Sequence, residues 1–197
     1  MFRFPIGEDA ELRLWEPHHG EELFALVDRN REYLREWLPW IDDTRTVEDE
    51  TAFIRYSLRQ FASSRTLAAG IWFQGRLAGG IDIHSMDPTN LRGEIGYWIS
   101  AGCQGKGLVT RSCRALLDYA FNELKLNRVE IHVASGNTRS RAIPERLGFT
   151  QEGILRQVAW LYDQFIDLVI YAMLASEWQS IEENSPGGGN ERADDST

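Results

Sequence analysis

Apolar and polar residues along this chain recur with two different periods, and the elements change where the period changes. Glu11 to Glu16 alternates charged and apolar side chains, with Leu12 and Leu14 on one face, and predicts a first strand closed by Pro17. Leu23, Leu26, Val27, Tyr33 and Leu34 then form a broken helical stripe through residues 20–37, and Pro39 stops the helix because it lacks an N–H and its ring clashes. Thr46 with Asp49 fits the Asp-bearing form of the capping box, so a second helix runs from there to about Ser63, with Phe53, Ile54, Leu58 and Phe61 inward. Thr66 to Phe73 and Leu77 to His84, separated by Gln74-Gly75-Arg76, predict a β-hairpin.

The middle of the chain carries a denser signal. Ile95 to Ile99 is a short β-branched and aromatic run; Gln104-Gly105-Lys106-Gly107 follows; then Leu108, Leu116, Leu117, Ala120 and Phe121 recur at helical spacing. Arg128 to Ala134 is another β-branched run, and strand, helix, strand implies a right-handed crossover that makes residues 94–99 and 128–134 parallel neighbours. Asn137 is placed to cap a short helix through Leu147, with Gly148 ending it. Pro144 inside that helix leaves the carbonyl of Ser140 without its donor, and distortion is expected there. Ile154 to Ala159 and Phe165 to Met173 read as the last strands, joined through Tyr162-Asp163-Gln164, before Ser185-Pro186-Gly187-Gly188-Gly189 opens a polar, flexible segment.

At 197 residues the chain can bury one proper core, so one domain over residues 1–180 with a flexible acidic tail over 181–197 is expected. It lacks an apolar run of ~20 residues and a basic, apolar leader, which points away from membranes and toward the cytoplasm. The net charge is −9, of which the tail after Ser180 carries −4. That balance disfavours a nucleic-acid surface and suits cationic partners such as amines, although plain solubility explains it equally well. Cys103 and Cys113 have no metal-ligand spacing, so no metal is expected.

The glycines at 105 and 107 permit positive φ, the helix behind them offers unpaired N–H groups, and Lys106, Thr110 and Ser112 add a cation and hydroxyls. An anion, above all a diphosphate, is the expected guest, yet neither the P-loop nor the dinucleotide fingerprint is present. The same four residues resemble the Gln/Arg-x-x-Gly-x-Gly/Ala acyl-CoA pyrophosphate motif of the GNAT N-acetyltransferase superfamily, with Val109 where glycine or alanine is usual. Trp37-Leu38-Pro39-Trp40, Glu94-Ile95-Gly96-Tyr97-Trp98, Asn137-Thr138-Arg139-Ser140 and Arg146-Leu147-Gly148-Phe149 resemble, in the same order, its RimJ/RimL-type branch, over roughly residues 8–178.

The resemblance implies an α/β (α+β) GNAT fold: a mixed, mostly antiparallel sheet of about seven strands with flanking helices and a splayed parallel pair holding acetyl-CoA. It implies cofactor contacts at Trp98, Ile99, Ser100, Gln104, Gly105, Lys106, Gly107, Leu108, Val109, Thr110, Asn137 and Ser140, with backbone amides around 98–100 serving the oxyanion. Pro144 stands where many members carry a tyrosine acid, so Ser140 near the departing thiolate, assisted by Asn137, takes that place. The glutamate proposed as base in RimL-like enzymes matches Ala159, which leaves Glu94, or His84, as the substitute. Trp37 and Trp40 are candidates to border the acceptor, and Asp82 with His84 to hold its ammonium; a hydrophobic plug and a wet strand face are the plain alternatives. The implied reaction is acetyl transfer to a primary amine, foremost the α-amine of a ribosomal or other protein, and since the branch often forms homodimers a homodimer is expected. Small polyamine, drug or amino-acid acceptors, another acyl donor, and a non-catalytic acyl-CoA-binding module are the rivals.

Overall fold

The computed structural model describes residues 3–183. Its centre is one eight-stranded sheet in the order β1-β2-β3-β4-β5-β6-β8-β7. The strands are β1 Arg3–Pro5, β2 Ala10–Leu14, β3 Leu67–Phe73, β4 Arg76–Asp87, β5 Arg92–Ile99, β6 Arg128–Ala134, β7 Thr150–Leu161 and β8 Gln164–Leu174. The helices are α1 Gly20–Arg29, α2 Arg31–Arg35, α3 Val47–Ala62, α4 Leu108–Asp118, α5 Thr138–Leu147 and α6 Ala175–Glu183. Every strand pair is antiparallel except β5–β6. The strand beyond the seven expected is β1, whose three exposed residues carry no alternation to detect.

The parallel pair sets the architecture. Its register runs Arg92–Arg128, Gly93–Val129, Glu94–Glu130 and goes no further. Beyond that point β5 stays paired with β4 as far as Ile99, and β6 stays paired with β8 as far as Ala134. Two half-sheets therefore diverge from an apex at Glu94 and Glu130. One apolar core staples them together on a single face: Leu108, Val109, Cys113, Leu116 and Leu117 of α4 pack with Ile83 and Ile95 on one half and with Ile131, Val133 and Val169 on the other. On the opposite face α1 and α3 pack on β3 and β4 through Leu23, Val27, Ile54, Ala68 and Trp72, together with Trp15 beyond β2.

Several local expectations are revised. The stripe over 20–37 is two helices broken at Asn30, whose side chain donates to Leu26 O (2.8 Å) and accepts from the Ala101 amide (3.0 Å). The break thus pins the helical pair to the loop after β5. On α3 the capping box forms as expected, but the buried stripe is Glu50, Ile54 and Ser57 at i, i+4, i+7, while Phe53 on its flank and Phe61 in the last turn are exposed. The acidic-tail boundary at 180 falls inside α6, and residues 184–197 lie outside the described residues.

Pro144 does not break α5, which continues to a left-handed Gly148. The carbonyl it orphans, that of Ser140, accepts instead from the Tyr97 hydroxyl of β5 at 2.9 Å. A side chain from the neighbouring element replaces the missing helical donor. Tyr97→Phe should therefore cost ~1 kcal/mol as a half-buried acceptor loses its partner. Pro144→Ala should recover part of that loss by restoring an N–H. Denaturant unfolding of the two single variants and the double variant checks this, and equal losses with and without Pro144 would show that the hydroxyl does not answer for the proline.

Candidate active site

A cleft of about 1050 Å³ opens where the half-sheets diverge, lined by Tyr33 to Leu38 except Arg35, by Tyr97 to Ile99, by Cys103 to Arg111, and by parts of Gly136 to Arg146. The turn leading into α4 forms one wall. Gly105 (φ 72) and Gly107 (φ 70) are both left-handed, and Gly107 is the N-cap, so the first amides of α4 are left to the cleft. Added Cβ atoms there would meet open space, so glycine is needed for φ and not for room. Gln104 is clamped: its amide group donates to the Tyr33 hydroxyl, and its oxygen accepts from Arg139 at 3.3 Å.

Four cations line this end, Lys106, Arg111, Arg139 and Arg146. Lys106 Nζ lies 5.6 Å from the centre of the Phe73 ring, Arg111 is bound to Asp9 (2.8 Å), and Arg146 donates to Thr110 Oγ1 (3.2 Å). Motif spacing alone did not flag Arg139 and Arg146 as cleft residues. Their i, i+7 placement on one face of α5 is the signal that could have found them.

The fork presents backbone groups by strict alternation. Ser100 N donates to Ala78 O (2.8 Å), so Ser100 and, by register, Trp98 spend their amides on β4. Leu91 O, which accepts from Asn127 and Arg128, belongs to the other set, so Tyr97 and Ile99 turn their amides toward the gap. Of the expected 98–100 amides, Ile99 is the one that faces it. Side chains alternate the other way: Tyr97 and Ile99 lie against the α4 core, whereas Trp98 lies against the α1–α3 core.

Ser140 and Asn137 sit together on the cleft wall. Asn137 Oδ1 accepts from the Ser140 amide (3.1 Å), and the Ser140 hydroxyl donates to Tyr97 Oη at 3.2 Å. Burial raises the Tyr97 phenol further above its ordinary value, so it is a neutral partner. Trp37 lines the cleft and lies over Gly136, while Trp40 stands outside it, edge-on to Trp98 with ring centres 6.2 Å apart.

Asp82, His84 and Glu94 are together but below the cleft, at the apex. His84 Nδ1 lies 2.6 Å from Asp82 Oδ1, and its Nε2 lies 3.6 Å from Glu94 Oε1. Gly96 leaves them room, since a Cβ there would meet Asp82 at 3.2 Å and His84 at 3.3 Å. The hydrogen bond to Asp82 and the nearby Glu94 carboxylate outweigh burial and raise the His84 pKa to about 10, so His84 is an imidazolium at neutral pH and not a base. The ladder continues through residues not singled out in the sequence: His132 Nδ1 is 3.6 Å from Glu94 Oε1, His132 Nε2 is 2.7 Å from Glu130, and Arg128 joins Glu130 (2.7 Å) to Glu152 (2.5 Å). Ala159 lies past a bulge in β7, opposite Ile166 and away from the cleft lining.

A diverging parallel pair, a left-handed glycine turn and a cationic wall fit an acyl-CoA, and the comparisons with known proteins agree. The family model described as "Acetyltransferase (GNAT) domain" matches residues 10–150. The chain belongs to the GNAT acetyltransferase family. It is 39% identical over 180 residues to YdaF of Bacillus subtilis (strain 168), provisionally assigned as a ribosomal N-acetyltransferase, covering 91% of this chain and 98% of that one. Among solved structures it resembles RimL, a ribosomal L7/L12 alpha-N-protein acetyltransferase in complex with coenzyme A (TM-score 0.86, 25% identity, 89% of this chain and 99% of that one). It also resembles the microcin C7 self-immunity acetyltransferase MccE in complex with acetyl-CoA and AMP (TM-score 0.82, 27% identity, 86% and 94%). This GNAT enzyme is therefore an acetyltransferase. Among the described residues no cluster is placed to hold a metal, and no helix is long and apolar enough to cross a membrane.

The raised His84 pKa has a consequence for stability. With about 10 in the fold against 6.5 unfolded, the imidazolium stabilises fully below pH 6.5, progressively less above it, and not at all beyond about pH 10. The Tm advantage of the wild type over His84→Gln should shrink steadily between pH 7 and 10 in thermal melts; a constant difference would show that His84 is not held charged.

Proposed function

We propose that this GNAT enzyme transfers an acetyl group from acetyl-CoA to the N-terminal α-amine of a protein, with ribosomal proteins as the acceptor class, in the cytoplasm. The observation that carries the reading is the uncovered apex. The α1–α3 core covers β3 and β4 and reaches β5 at Trp98, while Asp82, His84 and Glu94 at the apex keep 34%, 37% and 26% of their side-chain surface exposed, an approach wide enough for a chain terminus. The names of YdaF and RimL support the acceptor class.

Acetyl-CoA supplies the activated thioester carbon. The amides of Gln104 to Thr110 and the cations Lys106, Arg139 and Arg146 hold the pyrophosphate end. The gap-facing amides of Tyr97 and Ile99 hold the arm and stabilise charge on the carbonyl oxygen. The Ser140 hydroxyl, oriented by Asn137 and backed by Tyr97, exchanges one acceptor for another when it turns to the thiolate. Trp37 and Trp98 flank the acceptor, with Trp40 as buttress. Glu94 takes the ammonium proton through an intervening water, and Asp82 and His84 hold Glu94 in place and do not touch the acceptor.

Thiol release from acetyl-CoA tests this, with a ribosomal-protein extract in one arm and polyamines in the other, and with products identified by mass. Release should follow the protein arm, Glu94→Gln should lower kcat/KM about 100-fold, and Ser140→Ala should lower kcat about tenfold. Release with polyamines alone moves the acceptor to small amines; binding without release in either arm sinks the enzyme reading. For the homodimer, Ile154, Leu155, Val158, Trp160 and Phe165 on the β7–β8 hairpin form the apolar surface we assign to a second copy, with Trp160 edge-on to Phe165. Trp160→Glu should sediment as a monomer where the wild type sediments as a dimer.

A further inference from the structure

Donors and acceptors can be counted through the clamp on Gln104, and the count leaves one proton over. A guanidinium only donates, so the contact of Arg139 Nη1 at 3.3 Å falls on the Gln104 amide oxygen. That fixes which way round the amide stands, and its Nε2 then faces Tyr33 as a donor. The Tyr33 hydroxyl is thereby the acceptor in its contact with Gln104. A phenol has a proton of its own to give, and among the described residues no acceptor takes it.

The start of α2 holds that hydroxyl at the cationic end of the cleft. Two ties join it to the loop after β5, each between residues seventy-one apart: Asn30 Oδ1 accepts from the Ala101 amide at 3.0 Å, and Tyr33 accepts from Gln104. The ties are three residues apart on both segments, so α2 lies along the turn in a fixed register. The Tyr33 ring packs on the α1–α3 core, and the residue lines the cleft beside Gln104 and Gly105. Arg139 and Arg146 come to the same end from α5, and the left-handed glycine turn with the first amides of α4 completes it.

We propose that Tyr33 is a cofactor-binding residue that no sequence motif marks, its hydroxyl donating to an oxygen of the acyl-CoA diphosphate. The inference rests on acyl-CoA as the ligand of the cleft. The chain of hydrogen bonds behind the hydroxyl strengthens it as a donor. Arg139 draws electron density from the Gln104 carbonyl, the amide N–H becomes a better donor to Tyr33, and a phenol that accepts one hydrogen bond gives the next more strongly. The charge of Arg139 is thus felt on the α2 wall, although Tyr33 itself carries none. A guanidinium has five N–H groups, so Arg139 can hold Gln104 and still meet a phosphate oxygen. Gln104, the first residue of the diphosphate motif, is then a crossbar: its side chain orients two ligands of the anion and touches it with neither end.

Calorimetric titration of the full chain with coenzyme A tests this without turnover. Tyr33→Phe keeps the ring and removes only the hydroxyl. It should weaken CoA binding about tenfold, as expected for a lost hydrogen bond to a charged group, and weaken dephospho-CoA, which lacks the 3′-phosphate, by the same factor. Full CoA affinity in the variant would overturn the assignment, and a loss that vanishes with dephospho-CoA would overturn the diphosphate as its target. Because Gln104 aims the hydroxyl, the losses in Tyr33→Phe and Gln104→Met should be far from additive in the double variant; additive losses exclude the crossbar. In steady-state kinetics Tyr33→Phe should raise KM for acetyl-CoA about tenfold at unchanged kcat, since the diphosphate is held alike in ground and transition states, whereas a lower kcat at unchanged KM would show a merely structural tyrosine. A wild type that binds neither CoA nor dephospho-CoA fails the acyl-CoA reading and the assignment with it; a wild type that binds both no better than Tyr33→Phe does fails the assignment alone.

Discussion

The protein depends on two parallel strands that stop pairing. β5 and β6 share three registered positions and then part, each held by its outer neighbour. An unpaired backbone group away from water costs roughly 1–3 kcal/mol, so the fork is tolerable only because its groups face a cleft that water or a ligand fills. The pantetheine arm of an acyl-CoA carries amides of its own, which suits it to that gap. What keeps the fork from closing or tearing is the single core under α4, which packs on both halves at once. A bilateral core permits divergence above it without loss of cooperativity, because neither half can move without opening the packing of the other.

The same logic operates one layer up, at α5. A proline in a helix would normally surrender a hydrogen bond and bend the axis. Here Tyr97 of the forked strand donates the bond that Pro144 cannot, so the imperfection becomes a tether between the strand facing the cleft and the helix carrying Ser140. Tyr97 thereby does two things with one hydroxyl: it donates to the Ser140 carbonyl and accepts from the Ser140 side chain. The position of Ser140 is set by backbone chemistry, not by the rotamer of a surface serine.

Much of this was legible in the chain because it is local. The Gln74-Gly75 hairpin, the Thr46 capping box, the left-handed glycines and the Asn137 cap each rest on residues a few positions apart, and each stands as read. What was not legible is made by distance. Asn30 breaks a helix because its oxygen has an amide to accept from at Ala101, seventy-one residues on. The exposure of Phe53 and Phe61 follows from which face α1 covers, and helical periodicity cannot say that. Trp40 looked like a pocket residue by its company in the sequence, but it supports Trp98 from outside. The polar ladder is the clearest case. Asp82 and His84 could be picked out as a same-face pair, yet their meaning changes once the crossover puts Glu130 beside Glu94 and His132 one step beyond.

That change bears on what the acidity of the chain is for. A net charge of −9 invites the idea of an open acidic groove that draws in cationic acceptors. At the apex, however, the carboxylates are already answered: Asp82 by His84, Glu130 by Arg128 and His132, Glu152 by Arg128. Burial acts to raise the Glu130 carboxyl, and its hydrogen bonds to Arg128 and His132 overcome that and hold it low. Charges neutralised at 2.5–2.7 Å project little field into solvent, so this cluster cannot be a long-range attractor. Its value is directional: it leaves Glu94 as the carboxylate with no partner at hydrogen-bonding distance, at the point where the strands part. The charges at the apex thus serve to orient Glu94, and positive charge gathers instead at the opposite end of the cleft, where Lys106, Arg139 and Arg146 line the wall.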